Sequence, residues 1–121
     1  MGIDKVNLDD VLGRFSEHWS PKTVGRVNDY EIKVVKVQGE FVWHQHDETD
    51  EVFLVLDGEL TIDTPDGPVV LGPRETVTIP RGVQHRPRAD QETSIVLIEP
   101  TGVVNTGEAE GPLTAVPESL V

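Results

Sequence analysis

No cysteine occurs anywhere in the 121 residues. Disulfide stapling, thiolate metal ligands and a cysteine nucleophile are excluded together, so any metal must bind through nitrogen and oxygen. Cations are scarce: 10 Lys and Arg stand against 22 Asp and Glu, a formal net charge of -12. That balance argues against nucleic-acid phosphate or an anionic membrane as partner, since both repel an acidic surface. No run approaches the roughly 20 apolar residues of a membrane-spanning helix, and the N-terminus lacks the basic-then-apolar layout of a signal peptide. A cytoplasmic protein with no membrane and no nucleic-acid partner is expected. The length suits one domain around one hydrophobic core.

Asn7 can cap a short helix, with Leu8, Val11, Leu12 and Phe15 at helical spacing and Asp9 and Asp10 at the positive end of its dipole. Trp19 continues that stripe, and Ser20-Pro21 ends it, because proline moves the residue before it away from helical angles. From Val24 the chain becomes rich in Val, Ile and Thr, in short runs separated by Gly, Pro or Asp-Gly, which is a sheet pattern. Strands are predicted over residues 30–37, 40–46, 51–56, 59–64, 69–71, 76–79, 85–89 and 93–99. Gly39 marks the first turn, and Asp57-Gly58 supplies a type I′ hairpin turn. Short loops between many strands serve barrels and sandwiches, so the fold class is all-β with a short N-terminal helix. Three segments follow: residues 1–23, helical and packed on the barrel; 24–100, the β-barrel; and 101–121, an extended tail punctuated by Gly102, Gly107, Gly111, Pro112 and Pro117.

Histidine is also sparse, yet it is concentrated. Of four histidines, three (His44, His46 and His85) gather with Glu51 into one arrangement. Side chains alternate along a strand, so His44 and His46 point the same way, about 7 Å apart. The acidic turn at residues 47–50 reverses the chain, and Glu51 opens the returning strand, its inward row continuing through Phe53 and Val55. Asp47, Glu48 and Asp50 are neighbouring carboxylates, and register favours Glu51 over them. His85 follows the turn Pro80-Arg81-Gly82-Val83-Gln84 and begins a strand with Pro87 and Ala89 on the same face. Three neutral imidazoles and one carboxylate leave one or two positions of a five- or six-coordinate ion open, as a reactive centre needs. Fe, Mn, Zn, Ni or Cu all accept such donors. An isolated His-x-His on a strand is ordinarily two solvated residues on an exposed sheet face. The conjunction of pair, carboxylate and distant histidine is what marks a metal site.

His18, the remaining histidine, is expected in a structural role at the helix end. Phe41 and Trp43 are expected together on the face opposite the ligands, as core packing against the helix or as a dimer surface.

His44-x-His46-(x)4-Glu51-(x)6-Gly58 resembles the first motif of the cupin superfamily, and Pro80-x-Gly82-x-x-His85 the second; with the strands between, they cover most of residues 39–87. The resemblance implies a double-stranded β-helix (the jelly-roll, or cupin, barrel), a divalent metal held by His44, His46, Glu51 and His85, and a homodimer. Gly39 sits one residue nearer the histidines than the glycine that commonly precedes the first motif. Arg74-Glu75 stands where the second commonly opens with Gly-Asp, and Arg86-Pro87-Arg88 follows His85 where an asparagine is frequent. None of these departures removes a ligand. The stretches His18-Trp19-Ser20-Pro21-Lys22, Gly39-Glu40-Phe41-Val42-Trp43-His44 and Glu99-Pro100-Thr101-Gly102 with Asn105-Thr106-Gly107 look like a group of small single-domain cupins, many labelled mannose-6-phosphate isomerase by similarity. A phosphosugar pocket wants inward Arg or Lys, whereas strand parity turns Arg86 and Arg88 away from His85.

The expected function is a metal-dependent enzyme, dioxygenase-like or isomerase-like, acting on a small organic substrate in an apolar pocket lined by Val42, Phe53, Val55 and Pro87. The alternatives are a non-catalytic module that binds a small ligand, and a sugar-phosphate isomerase. Outside the ligands, Tyr30 is the one inward candidate for a separate base, so chemistry would rest on the metal and its bound water.

Overall fold

Asn7 caps α1 (Leu8–Leu12): its Oδ1 accepts a hydrogen bond from Asp10 N at 3.0 Å, satisfying one of the free donors of the first turn. The computed structural model describes residues 2–103, 107, 118 and 119. Gly13 ends the helix, well short of the stripe that runs on to Trp19 in the sequence. Val11 is buried, and Val6, Leu8, Leu12 and Phe15 pack beside it over the outer face of a sheet at Val24, Val34 and Val96. Trp19 belongs to no helix. It takes a left-handed φ of 60° and sends its ring into the barrel core, where it stacks on Phe41 with centroids 4.7 Å apart.

Eight strands follow: β1 (Lys22–Val27), β2 (Tyr30–Glu40), β3 (Glu51–Asp57), β4 (Leu60–Thr64), β5 (Gly67–Leu71), β6 (Thr76–Ile79), β7 (Arg86–Pro100) and β8 (Glu118–Ser119). Their hydrogen-bonded order is β5-β4-β7-β2-β1-β8, with β3 pairing both β7 and β6. β7 organises the barrel. Its first residues pair with β4 (Arg86 with Asp63, Arg88 with Thr61), and its later ones with β2 and β3. Between the layers lies an apolar core that includes Val35, Val37, Phe53, Val55, Leu60, Ile62, Ile95 and Leu97. Each such side chain contributes roughly 1.5–3 kcal/mol by leaving water. This is the all-β jelly roll with a short N-terminal helix that the sequence predicts.

Several details differ from the sequence reading. Gly39 does not end a strand: β2 continues to Glu40 across a bulge between Val37 and Gly39, where Gly39 takes φ 83°. A bulge bends a strand without breaking it, so one strand serves both layers. Residues 40–46 consequently form no strand of their own, apart from a bridge at His44, while the two strands predicted at 85–89 and 93–99 are one continuous β7. Asp57-Gly58 is not a hairpin either, because β3 and β4 do not pair. Gly58 has φ 95° but Asp57 is not left-handed, whereas a type I′ turn needs both. Glycine is required there for space, since a Cβ would collide with Thr93. The predicted tail, residues 101–121, lies largely outside the described residues; β8 runs parallel to β1 at Lys22 and Thr23.

Candidate metal centre

His44 and His85 are brought together by backbone. Each donates its N–H to the other's carbonyl, at 3.0 and 2.9 Å, forming an antiparallel bridge. Side chains of a directly opposed pair emerge on one face, and the two rings stand with centroids 4.3 Å apart. His46, two residues on, places its ring 5.2 Å from that of His44. The Pro80–Gly82 turn is anchored on the same segment: Gly82 N donates to His46 O at 2.8 Å, and Arg81 N to Asp50 Oδ1 at 2.9 Å. Asp50 is thereby committed to the loop, and Asp47 and Glu48 are exposed. Glu51 is the buried carboxylate at the start of β3.

One donor atom from each of His44, His46, Glu51 and His85 lies within 4.8 Å of the others, and all four residues are buried. Bonds of about 2.0–2.2 Å to a common ion can span such a group with small side-chain shifts. Two further observations fit a metal. His44 Nδ1 and His85 Nδ1 each lie 2.9 Å from a carbonyl oxygen, of Val42 and Val83. An Nδ1–H donated there leaves the Nε2 lone pair directed at the centre, the arrangement that orients metal-binding imidazoles. His46 Nε2 is buried without a hydrogen-bond partner, a costly position that coordination to an ion would satisfy. Glu51 Oε1 stands 3.1 Å from His85 Nε2, and Oε2 3.5 Å from His46 Nε2.

Protonation states agree with that role. Burial, reinforced by the neighbouring His85, lowers His44 to about 4, which keeps its imidazole neutral at neutral pH. Burial alone would raise the Glu51 carboxyl; the close approach of the His46 and His85 imidazoles outweighs it and holds Glu51 below the usual carboxylate range. Glu99 is pushed up to about 9, first by its own burial and then by the charge of Glu51.

A cavity of about 30 Å³ adjoins the centre, lined by His44 and Glu51 together with apolar side chains, among them Trp19, Phe41, Phe53 and Pro87. Phe53 and Pro87 were expected in it; Val42 and Val55, also expected, do not line it. Phe41 is on the ligand side, edge-on to His44 at 5.3 Å, and it is Trp43 alone that turns outward. The two do not share a face because residues 41–50 lack regular strand pleating. Arg86 and Arg88 point away from the cavity, both bound to Asp63 Oδ2 at 2.9 Å. Tyr30 is partly exposed and does not line the cavity. His18 pairs with Glu92 at 2.8 Å on the surface.

The sequence reading missed Trp19 and Pro21 in the lining, and Lys33 and Glu99 behind Glu51. Alternation along β7 from Ile95 and Leu97 carried the signal for Glu99, since it puts residue 99 on the inward face. Nothing local marks Trp19, whose place depends on a left-handed backbone after an irregular segment.

Comparison with known proteins agrees with this architecture. Residues 32–100 match the family described as a cupin domain. The uncharacterized protein YdbB of Bacillus subtilis (strain 168) is 34% identical over 94 residues, which span 77% of this chain and 83% of the relative. A crystal structure of a cupin-2 domain containing protein from Shewanella frigidimarina is 47% identical with a TM-score of 0.78, covering 78% of this chain and 93% of that one. Hydroquinone 1,2-dioxygenase PnpCD, solved with Cd2+ and 4-hydroxybenzonitrile, has a TM-score of 0.67 at 19% identity, over 93% of this chain and 76% of that one, a likeness of fold. With the matched family spanning β2 through β7 and both histidine-bearing motifs inside it, this chain belongs to the cupin superfamily.

Proposed function

We propose that the protein is a metal-dependent cupin enzyme, dioxygenase-like or isomerase-like, acting on a small organic molecule. The observation that carries this reading is the buried set of three imidazoles and one carboxylate, open on one side to an apolar cavity. His44, His46, Glu51 and His85 would hold the ion. An Fe(II) or Mn(II) occupant would supply Lewis acidity or oxygen activation, and Ni, Cu or Zn suits the same donors.

The chain's own residues would bind and orient. Trp19, Phe41 and Phe53 present ring faces and edges to an apolar ligand, and among the described residues the lining holds no Lys or Arg to meet a phosphate. That disfavours a sugar-phosphate substrate, as does the commitment of Arg86 and Arg88 to Asp63. The free cavity has room for about two water molecules, so a ligand beyond a few heavy atoms must displace side chains at its mouth. A similarly folded dioxygenase binds a substituted phenol, which supports an aromatic or similarly planar ligand.

A second reading, a non-catalytic module that binds a small ligand at the metal, is favoured by the lining, which among the described residues holds no acid or base apart from His44 and Glu51. The two separate by experiment. Metal-loaded and metal-free protein are incubated with a panel of small phenols and keto acids while substrate and dissolved oxygen are followed. Turnover by the loaded form alone supports the enzyme; saturable binding without turnover supports the module. The same reading places the protein in the cytoplasm as a homodimer. Val69 and Val70, exposed on edge strand β5, support a second copy there, and sedimentation of Val70→Lys against wild type tests it.

A further inference from the structure

Behind the ligands lies a hydrogen-bonded lysine–glutamate pair with no contact to solvent. Lys33 Nζ meets Glu99 Oε1 at 2.8 Å, and both residues are 0% exposed. Lys33 is on β2 and Glu99 on β7, inside the barrel. On the other side of β7, Val52 of β3 pairs with Ile98, which sets Glu51 beside Glu99, and Glu99 Oε2 is buried there without a hydrogen-bond partner. Glu51, Glu99 and Lys33 thus form a buried row across three neighbouring strands.

The row is expensive as structure. Taking a lysine and a carboxyl out of water costs several kcal/mol, and apolar residues of similar volume in place of such a buried pair are often as stable or more so. Met at both positions would continue the apolar wall already formed by Val35 and Leu97. At one end Lys33 Nζ also approaches Glu31 Oε2 at 3.9 Å, which accepts from Thr23 Oγ1 at 3.0 Å; at the other the row meets the single carboxylate of the donor set. His44 and His85 each have a carbonyl partner fixing the ring. Glu99, beside Glu51 across the β3–β7 pairing, is the residue placed to do the same for its carboxylate.

We propose that Glu99, anchored by Lys33, is the positioning residue for Glu51: it holds the carboxylate in the orientation that completes the metal-binding set with His44, His46 and His85. This rests on the metal-binding reading of those four residues. Outer partners of this kind typically account for 10–100-fold in metal affinity. Lys33 keeps the Glu99 side chain extended toward β3, and its charge offsets the second buried carboxyl.

The test uses cobalt(II) alone as probe, read by its visible d–d absorption and by competitive titration of the full chain. Lys33→Met/Glu99→Met is expected to fold with a thermal midpoint at or above wild type, yet to bind cobalt about 10–100-fold more weakly and with shifted d–d bands. Lys33→Met/Glu99→Gln returns an N–H donor toward Glu51 and is expected to recover most of both. Unchanged affinity and bands in the Met/Met variant overturn the positioning role. If that variant does not fold, Glu99→Asp decides: it keeps the counter-charge of Lys33 but withdraws the carboxyl by one methylene, and wild-type affinity there overturns the proposal. Folded wild type that binds no cobalt overturns the metal centre and the positioning role with it, whereas binding by wild type with an indifferent Met/Met variant overturns the positioning role alone.

Discussion

His44 and His85, forty-one positions apart in the chain by their numbering, donate backbone hydrogen bonds to each other's carbonyls at 3.0 and 2.9 Å. The candidate centre is therefore built on a backbone bridge, and its two closest rings are held by main chain before any ion enters. Removing a ligand side chain leaves that bridge in place. His44→Ala and His85→Ala are expected to fold and to lose at least about 100-fold in metal affinity, beyond what outer partners account for. Elemental analysis of protein purified without added metal is the measurement, and full metal content in either variant would contradict the assignment.

Protonation of the metal-free protein gives signed expectations. His44 is lowered from 6.5 to about 4, so between those values the unfolded chain binds the extra proton. Its contribution is complete above 6.5 and lost as pH falls through 4, on the order of 3 kcal/mol. Glu51, also lowered, adds to the loss in acid. Glu99 acts in the opposite sense: raised from 4.5 to about 9, it contributes most below 4.5 and loses that contribution as pH rises through 9. Above 6.5 the Glu99 slope stands without the opposing His44 slope. Urea midpoints of metal-free protein should therefore fall from pH 7 to pH 9, and a flat profile there would contradict the buried carboxyl pair.

Trp19 joins the N-terminal segment to the cavity. Its ring stacks on Phe41, and its Nε1–H donates to Gln38 O at 3.0 Å. Trp19→Ala is expected to cost about 3–5 kcal/mol, as buried Trp truncations do, and to enlarge the space beside His44. Chemical denaturation reports the first effect. Tighter binding of a bulkier phenol by the metal-loaded variant reports the second.

Gly58 is a sharp backbone constraint. A Cβ there would overlap Thr93, including its Cα, and φ is 95°. Both the overlap and the left-handed angle burden alanine, so Gly58→Ala should lower stability by about 1–3 kcal/mol or more. Thr93→Ser in the same background is expected to recover little, because the Thr93 backbone remains in the way. A thermal midpoint equal to wild type would show that the β3–β4 crossing can shift.

Much was legible in the sequence because it is local. Asn7 before an amphipathic turn, the period-two runs, and Arg86 and Arg88 opposite His85, Pro87 and Ala89 all follow from parity and capping, and the structure keeps each of them. Glu51 was separable from Asp47, Glu48 and Asp50 on register, and it is the buried one of the four. Gly39 and Gly58 misled for a common reason. A glycine records a backbone angle or a lack of space, and the sequence does not say whether a turn, a bulge or a crossing strand requires it.

By itself, then, the sequence determined an all-β cupin chain, without thiols and rich in acid, whose few histidines carry the candidate centre. Tertiary structure alone decided what surrounds them. Pairing β3 with β7 set Glu99 beside Glu51, the bulge in β2 carried that strand across both layers, and the left-handed Trp19 closed the cavity against Phe41. Those relationships join residues on different strands through hydrogen-bond register and packing, and neither has a local signature for a sequence to carry.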